Sequence, residues 1–85
     1  MNDSKMTLLI CKEQVAKFVE ERDWSQFHSP KNLSMDIAVE AAELMEKFLW
    51  VETRELQNKT LQEKRSEIED ELADVFIALL AFANA

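Results

Sequence analysis

The stretch EIEDELADVFIALLAF, residues 67–82, decides the fold of this chain. From Leu72 onward nearly every residue is apolar, which is typical of a helix that is buried on most of its sides. Two acids, Glu71 and Asp74, nevertheless lie one helical turn apart where this apolar part begins. An apolar helix that carries a pair of acids into its buried region needs a chemical explanation.

A second stretch, IAVEAAELMEKFLW at residues 37–50, carries Glu40 and Glu43 at the same spacing. Side chains three residues apart on a helix lie on one face, so each pair of acids converges. Antiparallel packing of the two helices would bring both pairs together, and their repulsion would then require a cation. Carboxylate oxygens are the ligands of hard cations such as Mg²⁺ or Mn²⁺. The pattern therefore predicts a metal site whose ligands are Glu40, Glu43, Glu71 and Asp74.

Two other interpretations of the acids compete with this one. Acids are common in helices, so each pair alone is also compatible with a solvated helix face. The apolar neighbours of both pairs favour a functional site instead, because acids in such surroundings often mark one. A di-iron site would need His three residues after an acid on two helices. Glu46 and Asp74 occupy those positions, and the single His28 lies in a predicted loop.

The composition excludes several classes of function. The 85-residue chain has no Gly, which excludes the glycine-dependent phosphate loop and the dinucleotide fingerprint. A net charge of −7 argues against binding nucleic acid. No stretch has the length and apolarity of a membrane span or a signal peptide, so we expect a cytoplasmic protein without a membrane partner. A single domain over residues 1–85 is marginal alone, so burial against another copy is expected.

The periodicity predicts an all-α fold with three helices, at about residues 7–21, 33–50 and 61–84. Asn32 is the predicted N-cap of the second helix, and Thr60 with Glu63 forms a predicted capping box for the third. Residues 22–32 are predicted to form an ordered loop. The predicted core stripe of the third helix consists of Leu61, Ile68, Leu72, Val75, Leu79 and Phe82.

The predicted loop is rich in aromatic and basic residues. Trp24, Phe27, His28 and Lys31 lie within it, and Trp50 closes the second predicted helix. One interpretation is a nucleotide site, in which the aromatic rings stack on the base and Lys31 helps a metal to hold the phosphates. The other is structural: the aromatic rings close the end of the bundle, and His28 is a surface or capping residue.

Taken together, ERDWSQFHSPKNLSMDIAVEAAELMEKFLW and EDELADVFIALLAFA resemble the MazG-like nucleotide pyrophosphohydrolases, and among them the dCTP pyrophosphatase subgroup. The resemblance spans residues 18–82. It rests on the spaced acid pairs E-x-x-E and E-x-x-D, on ERDW-x-x-FH-x-P-x-NL and on the FLW that ends the second predicted helix.

This resemblance implies helices that assemble into four-helix bundles across a homodimer, and either this homodimer or a homotetramer of two such dimers as the assembly. It implies Mg²⁺-dependent hydrolysis of a nucleoside triphosphate to the monophosphate and pyrophosphate. The substrate it implies is dCTP or a related or modified deoxynucleotide, and the purpose it implies is the removal of unwanted nucleotides. Glu40, Glu43, Glu71 and Asp74 would bind the metal, and Glu40 or Glu43 would serve as a catalytic base. The substrate-binding positions it implies are Trp24, His28, Lys31, Asn32 and Trp50.

Relatives of this kind continue into a further helix and a basic tail, so we expect residues 1–85 to lack that part of the domain. The alternative to an enzyme is a helical module that binds nucleotides or a partner helix without hydrolysis. A purely structural bundle is the third interpretation, in which the spacing of the acids is accidental.

Overall fold

The computed structural model describes residues 6–85, and over these residues the chain is all-α, as predicted. The described part contains four α-helices rather than three, with one short 3-10 helix between the first two. The elements are α1 (Leu8–Glu21), the 3-10 helix (Ser25–Phe27), α2 (Pro30–Glu46), α3 (Arg54–Glu63) and α4 (Arg65–Asn84).

The start of α2 differs from the prediction. Ser29 is the N-cap, because its hydroxyl accepts a hydrogen bond from the Asn32 amide at 3.1 Å. Pro30 therefore lies in the first turn of the helix rather than in a loop. This arrangement is favourable because a proline there sacrifices no helical hydrogen bond. Predicting Asn32 as the cap was wrong by one turn: its side-chain amide donates instead to the Phe27 carbonyl at 3.0 Å.

The end of α2 also comes earlier than predicted. The helix ends at Glu46, and residues 47–50 form turns that lead into the segment before α3. Trp50 has a φ of 67° and is 91 % exposed. A left-handed backbone is unfavourable for a bulky residue, so these turns hold Trp50 in a strained and solvent-facing conformation.

The predicted third helix is in fact two helices. Thr53 caps α3, with its hydroxyl accepting from the Leu56 amide at 3.1 Å. The predicted capping box at Thr60 was wrong, because Thr60 lies inside α3 and donates its hydroxyl to the Leu56 carbonyl at 3.0 Å. A single residue, Lys64, separates α3 from α4.

The core lies where α4 packs on α2 and on α1. Its centre consists of Val15, Leu33, Leu80 and Ala81, of which Leu33 is only 2 % exposed. Ile68 and Ala78 are the other buried residues of α4. Most of the predicted core stripe was wrong. Ile68 is buried and Val75 is half-buried, but the four remaining positions are exposed in the single chain: Leu61, Leu72, Leu79 and Phe82.

The single chain is flat and exposes much apolar surface. Its extents are 42 × 33 × 17 Å and its radius of gyration is 15.2 Å, whereas a compact chain of this length would have about 12 Å. The accessible surface of 6788 Å² likewise exceeds the roughly 5200 Å² expected of a compact monomer of this mass. None of the helices within residues 6–85 combines the length and the apolarity needed to cross a membrane.

Candidate metal centre

The packing of α4 on α2 brings three of the four predicted acids together. Glu40 and Glu43 lie on α2, and Glu71 lies on α4 between the buried Ile68 and the half-buried Val75. One carboxylate oxygen from each of the three acids lies within 4.8 Å of the others. All three side chains are half-buried. These acids form what we call the carboxylate cluster: Glu40, Glu43 and Glu71.

Asp74, the fourth predicted acid, lies beside the carboxylate cluster rather than in it. It follows Glu71 by one turn of α4 and is exposed to solvent. Its charge nevertheless raises the pKa of both Glu40 and Glu71. Asp74 is therefore close enough to act on the cluster through its charge.

Two oxygens of the carboxylate cluster lack any hydrogen-bond partner in the described part of the chain. Oε2 of Glu40 and Oε2 of Glu71 are shielded from solvent, and no donor reaches them. A shielded polar atom without a partner is unfavourable, and more so when it carries charge. The two oxygens therefore need a ligand that donates positive charge or protons.

The pKa of Glu40 indicates the same lack of positive charge. Its pKa is raised from 4.5 to about 7, first by burial and then by the charges of Glu43, Asp74, Asp36 and Glu71. Each of these causes penalises the ionised carboxylate. A cation bound at this point would reverse the effect, because it would favour the ionised form.

Glu71 is perturbed in the same direction. Burial of its carboxyl raises its pKa, as do the negative charges of Glu43 and Asp74. Lys47 acts in the opposite direction, because its positive charge lowers the pKa of Glu71. Glu43 and Glu71 thus approach each other across the contact between α2 and α4.

The donor set fits a hard divalent cation. It consists only of carboxylate oxygens, on two helices, with two oxygens shielded and without partners. Mg²⁺ and Mn²⁺ bind such oxygens, whereas zinc and iron sites usually include His or Cys. The described residues group no His or Cys with these acids.

Two charged residues that act on the carboxylate cluster were not among the predicted site residues. Asp36 raises the pKa of Glu40, and Lys47 lowers that of Glu71. Both could have been found from spacing, because Asp36, Glu40, Glu43 and Lys47 follow one another at intervals of four, three and four residues. Residues at such intervals share one face of a helix.

Trp24 follows the end of α1, where it lies near Phe18 of that helix and near Arg22, its C-cap residue. Its ring meets the Phe18 ring edge-on at 5.5 Å between centroids. The Arg22 guanidinium lies 3.5 Å above the Phe18 ring and 5.8 Å from the Trp24 ring. Trp24 remains 44 % exposed, so part of its ring is open to solvent.

The other predicted substrate-binding residues of the loop surround the start of α2. Lys31 and Asn32 lie exposed in its first turn, and Asn32 binds the Phe27 carbonyl. His28 is half-buried and lines a groove of about 460 Å³ between the end of α1 and the end of α4. Its neighbours in that groove include Glu20 and Asn84.

The predicted substrate-binding residues of one chain fall at opposite ends of α2. Trp24, His28, Lys31 and Asn32 lie near its start, whereas Trp50 follows its end. The helix has 17 residues and is therefore about 25 Å long. The structure thus brings the carboxylate cluster together and places Trp24 and Trp50 of one chain beyond opposite ends of α2.

Known proteins are similar to this chain in sequence. A profile of the MazG-like family matches residues 35–85, which include all four predicted acids. dCTP pyrophosphatase 1 of Rattus norvegicus is 44 % identical over 69 residues, which are 80 % of this chain and 41 % of the rat protein. That of Bos taurus is 37 % identical over 81 residues, which are 94 % of this chain and 48 % of the bovine protein.

A solved structure shares the fold. The crystal structure of a pyrophosphatase from Archaeoglobus fulgidus DSM 4304 superposes with a TM-score of 0.82 and 36 % identity, over 85 % of this chain and 67 % of that one. The chain spans less than half the length of the rat and bovine relatives. The profile match covers more than half of the chain, and with this structural likeness it shows that the chain belongs to the MazG-like family.

Proposed function

We propose that this protein is a nucleoside triphosphate pyrophosphohydrolase that depends on a divalent metal. It would convert a nucleoside triphosphate and water to the monophosphate and pyrophosphate. Relatives that cover most of this chain are named dCTP pyrophosphatase 1, and a structural relative is named a pyrophosphatase. The observation that carries the proposal is the carboxylate cluster with its two shielded oxygens that lack partners.

Glu40, Glu43 and Glu71 would hold Mg²⁺, or Mn²⁺, with Asp74 as a further ligand beside them. When bound, such a cation neutralises phosphate charge and lowers the pKa of water. The oxygen of a water molecule would attack the α-phosphorus, the bond from that phosphorus to the pyrophosphate oxygen would break, and Glu40 or Glu43 would accept the proton of the water. The half-buried position of these acids on two rigid helices would fix their geometry for this reaction.

The substrate we propose is dCTP or a related or modified deoxynucleotide. The exposed rings of Trp24 and Trp50 would contact the base or the sugar, because aromatic faces stack on bases. His28, Lys31 and Asn32 lie in the same loop and helix turn as Trp24 and would bind the rest of the nucleotide. The location we propose is the cytoplasm, without a nucleic-acid partner.

We further propose that each site takes residues from two chains. Trp24 and Trp50 of one chain lie beyond opposite ends of a helix about 25 Å long, which is too far for one nucleotide to contact both. A homodimer with antiparallel helices, or a homotetramer built from two dimers, would bring the start of one α2 near the end of another. The excess of exposed apolar surface on the single chain supports such an assembly.

The experiment that tests this function is pyrophosphate release from a panel of deoxynucleoside and ribonucleoside triphosphates, with and without Mg²⁺. We expect release that requires the metal and is strongest with dCTP or a modified pyrimidine deoxynucleotide. Chelation of the metal is expected to stop the reaction, and its return is expected to restore it.

The same panel distinguishes hydrolysis from binding alone. Nucleotide binding without product from a folded protein would contradict the proposal and indicate a non-hydrolytic helical module. Absence of both binding and release would indicate a structural bundle in which the spacing of the acids has no chemical role.

A further inference from the structure

Lys47 is a charged neighbour of the carboxylate cluster that has no role in the proposed reaction. It follows Glu43 by four residues, so the two side chains lie on the same face of one helix. The backbone at Lys47 is still helical, with φ −62° and ψ −21°, and its amide still donates to the last turn of α2. Lys47 therefore continues the face of α2 that carries Glu40 and Glu43.

The environment of Lys47 differs from that of the side chains that form ion pairs. Within residues 6–85, the ion pairs of the chain lie on exposed surfaces, and each joins residues four apart on one helix. They are Lys17 with Glu21, Lys59 with Glu63 and Arg65 with Glu69. Lys47 is instead half-buried, and no ion pair within 4.0 Å joins it to any carboxylate of the described chain. Its charge still acts on Glu71 across the contact between α2 and α4.

We infer that Lys47 is a built-in counter-charge of the carboxylate cluster, which stabilises the metal-free protein and weakens the binding of the divalent metal. This inference rests on the proposed function, since it assumes that the cluster binds a cation. A positive charge near three carboxylates offsets part of their mutual repulsion while no metal is bound. The same charge repels a divalent cation that binds there. Lys47 thus favours the empty centre over the loaded one and sets the metal concentration at which the centre fills.

The first measurement is titration of the metal-free, full-length protein with MgCl₂ in a calorimeter. Replacement of Lys47 by Met keeps much of its length and removes its charge. We expect Lys47→Met to lower the Kd for Mg²⁺ by about threefold to tenfold, because a unit charge is removed from the vicinity of a divalent ion at a partly solvated site. The Tm of the metal-free variant is expected to fall, and the rise in Tm on adding Mg²⁺ is expected to exceed that of the original protein.

Three further variants separate charge from packing. Lys47→Arg keeps the charge and is expected to bind Mg²⁺ like the original protein. Lys47→Gln replaces the charge by a neutral polar group and is expected to behave like Lys47→Met. This second variant tests the inference if the Met variant folds poorly. Lys17→Met removes one exposed lysine of α1 that pairs with Glu21, and it is expected to leave the Kd for Mg²⁺ unchanged.

The possible outcomes are distinct. If Lys47→Met and Lys47→Gln bind Mg²⁺ with an unchanged or higher Kd, Lys47 is not a counter-charge and the inference is overturned while the metal centre stands. Unchanged Mg²⁺ binding with weaker binding of added pyrophosphate would overturn it in favour of a phosphate ligand. If the original protein itself binds no Mg²⁺, the metal centre fails, and the inference about Lys47 fails with it.

Discussion

Glu40 and Glu71 each hold one oxygen out of solvent and without a partner, at a contact between two helices. A folded protein does not gain stability from this arrangement, because the repulsion among the acids and their desolvation both oppose it. Such local strain is common where a binding site is held ready for a ligand. A bound cation therefore explains the presence of acids in the apolar stretches more simply than a contribution to the stability of the fold does.

Replacement of Glu43 by Gln tests the carboxylate cluster directly. The amide has the same shape but lacks the charge, so Glu43→Gln is expected to lower metal-dependent pyrophosphate release by about a hundredfold or more. Circular dichroism is expected to show unchanged helical content. Glu46→Gln changes an exposed acid three residues further along and serves as the matched control. Retention of full activity by Glu43→Gln would remove Glu43 from the proposed ligands.

The raised pKa of Glu40 predicts how the stability of the metal-free protein depends on pH. Its pKa is about 7 in the folded chain against 4.5 for the unperturbed group, so the folded state binds its proton more tightly. The stabilisation is fully present below about pH 4.5 and is lost as the pH rises through about 7. The Tm of the metal-free protein is therefore expected to fall between about pH 5 and about pH 8. Glu40→Gln is expected to flatten this dependence, and an equally steep fall in that variant would assign it to another group.

The N-caps that start α2 and α3 differ from those predicted. Ser29 and Thr53 accept hydrogen bonds from the amides three residues later, and they start α2 and α3. Thr60, which has the same residue type as Thr53, donates its hydroxyl backward to a carbonyl of its own helix. Short motifs therefore indicate where a helix can start, whereas the turn geometry of the whole segment decides which start is used.

Substitution of the two threonines by Ala distinguishes these roles. Thr53→Ala is expected to lower the free energy of unfolding by about 1 kcal/mol, because it removes an N-cap. Thr60→Ala is expected to have little effect or to stabilise slightly, because Ala is the better residue inside a helix. Thermal unfolding of both variants under identical conditions measures the difference. A larger loss from Thr60→Ala would restore Thr60 as the helix start.

Over residues 6–85, the molecule leaves one side of α4 uncovered. Leu72, Leu79 and Phe82 are among the exposed apolar residues of this helix, and the chain is wider and flatter than a compact monomer. The predicted core stripe therefore contains apolar positions of α4 that the single chain does not bury. These positions need a surface that the single chain does not supply, and we propose that another copy supplies it.

The assembly can be tested by adding a charge to this uncovered side. The protein is expected to sediment as a dimer or a tetramer, and Leu79→Lys is expected to shift it toward the monomer, because the charge would be buried in the interface. Ser66→Lys places the same charge at the exposed and polar start of α4 and serves as the control. A monomer at all concentrations, from the original protein, would contradict the two-chain site.

Sequence alone determined the all-α class and the spacing of the acids. Both depend on local regularities: helical periodicity places residues three and four apart on one face, whatever the rest of the chain does. The same regularity places Asp36 and Lys47 on the helix face that carries Glu40 and Glu43, so their position could also have been predicted. The caps were less predictable, since Ser29, Asn32, Thr53 and Thr60 are all suitable residue types for an N-cap.

Tertiary structure alone decided which acids meet and which apolar residues are buried. The packing of α4 on α2 sets Glu71 against Glu40 and Glu43, leaves Asp74 exposed beside them, and buries Ile68 and Ala78. Periodicity gives the positions that share a face, but it does not give the direction in which that face points, because this depends on contacts between distant segments. The residue types of the site could therefore be predicted from the sequence, whereas the contact between two helices brings them together in one cluster.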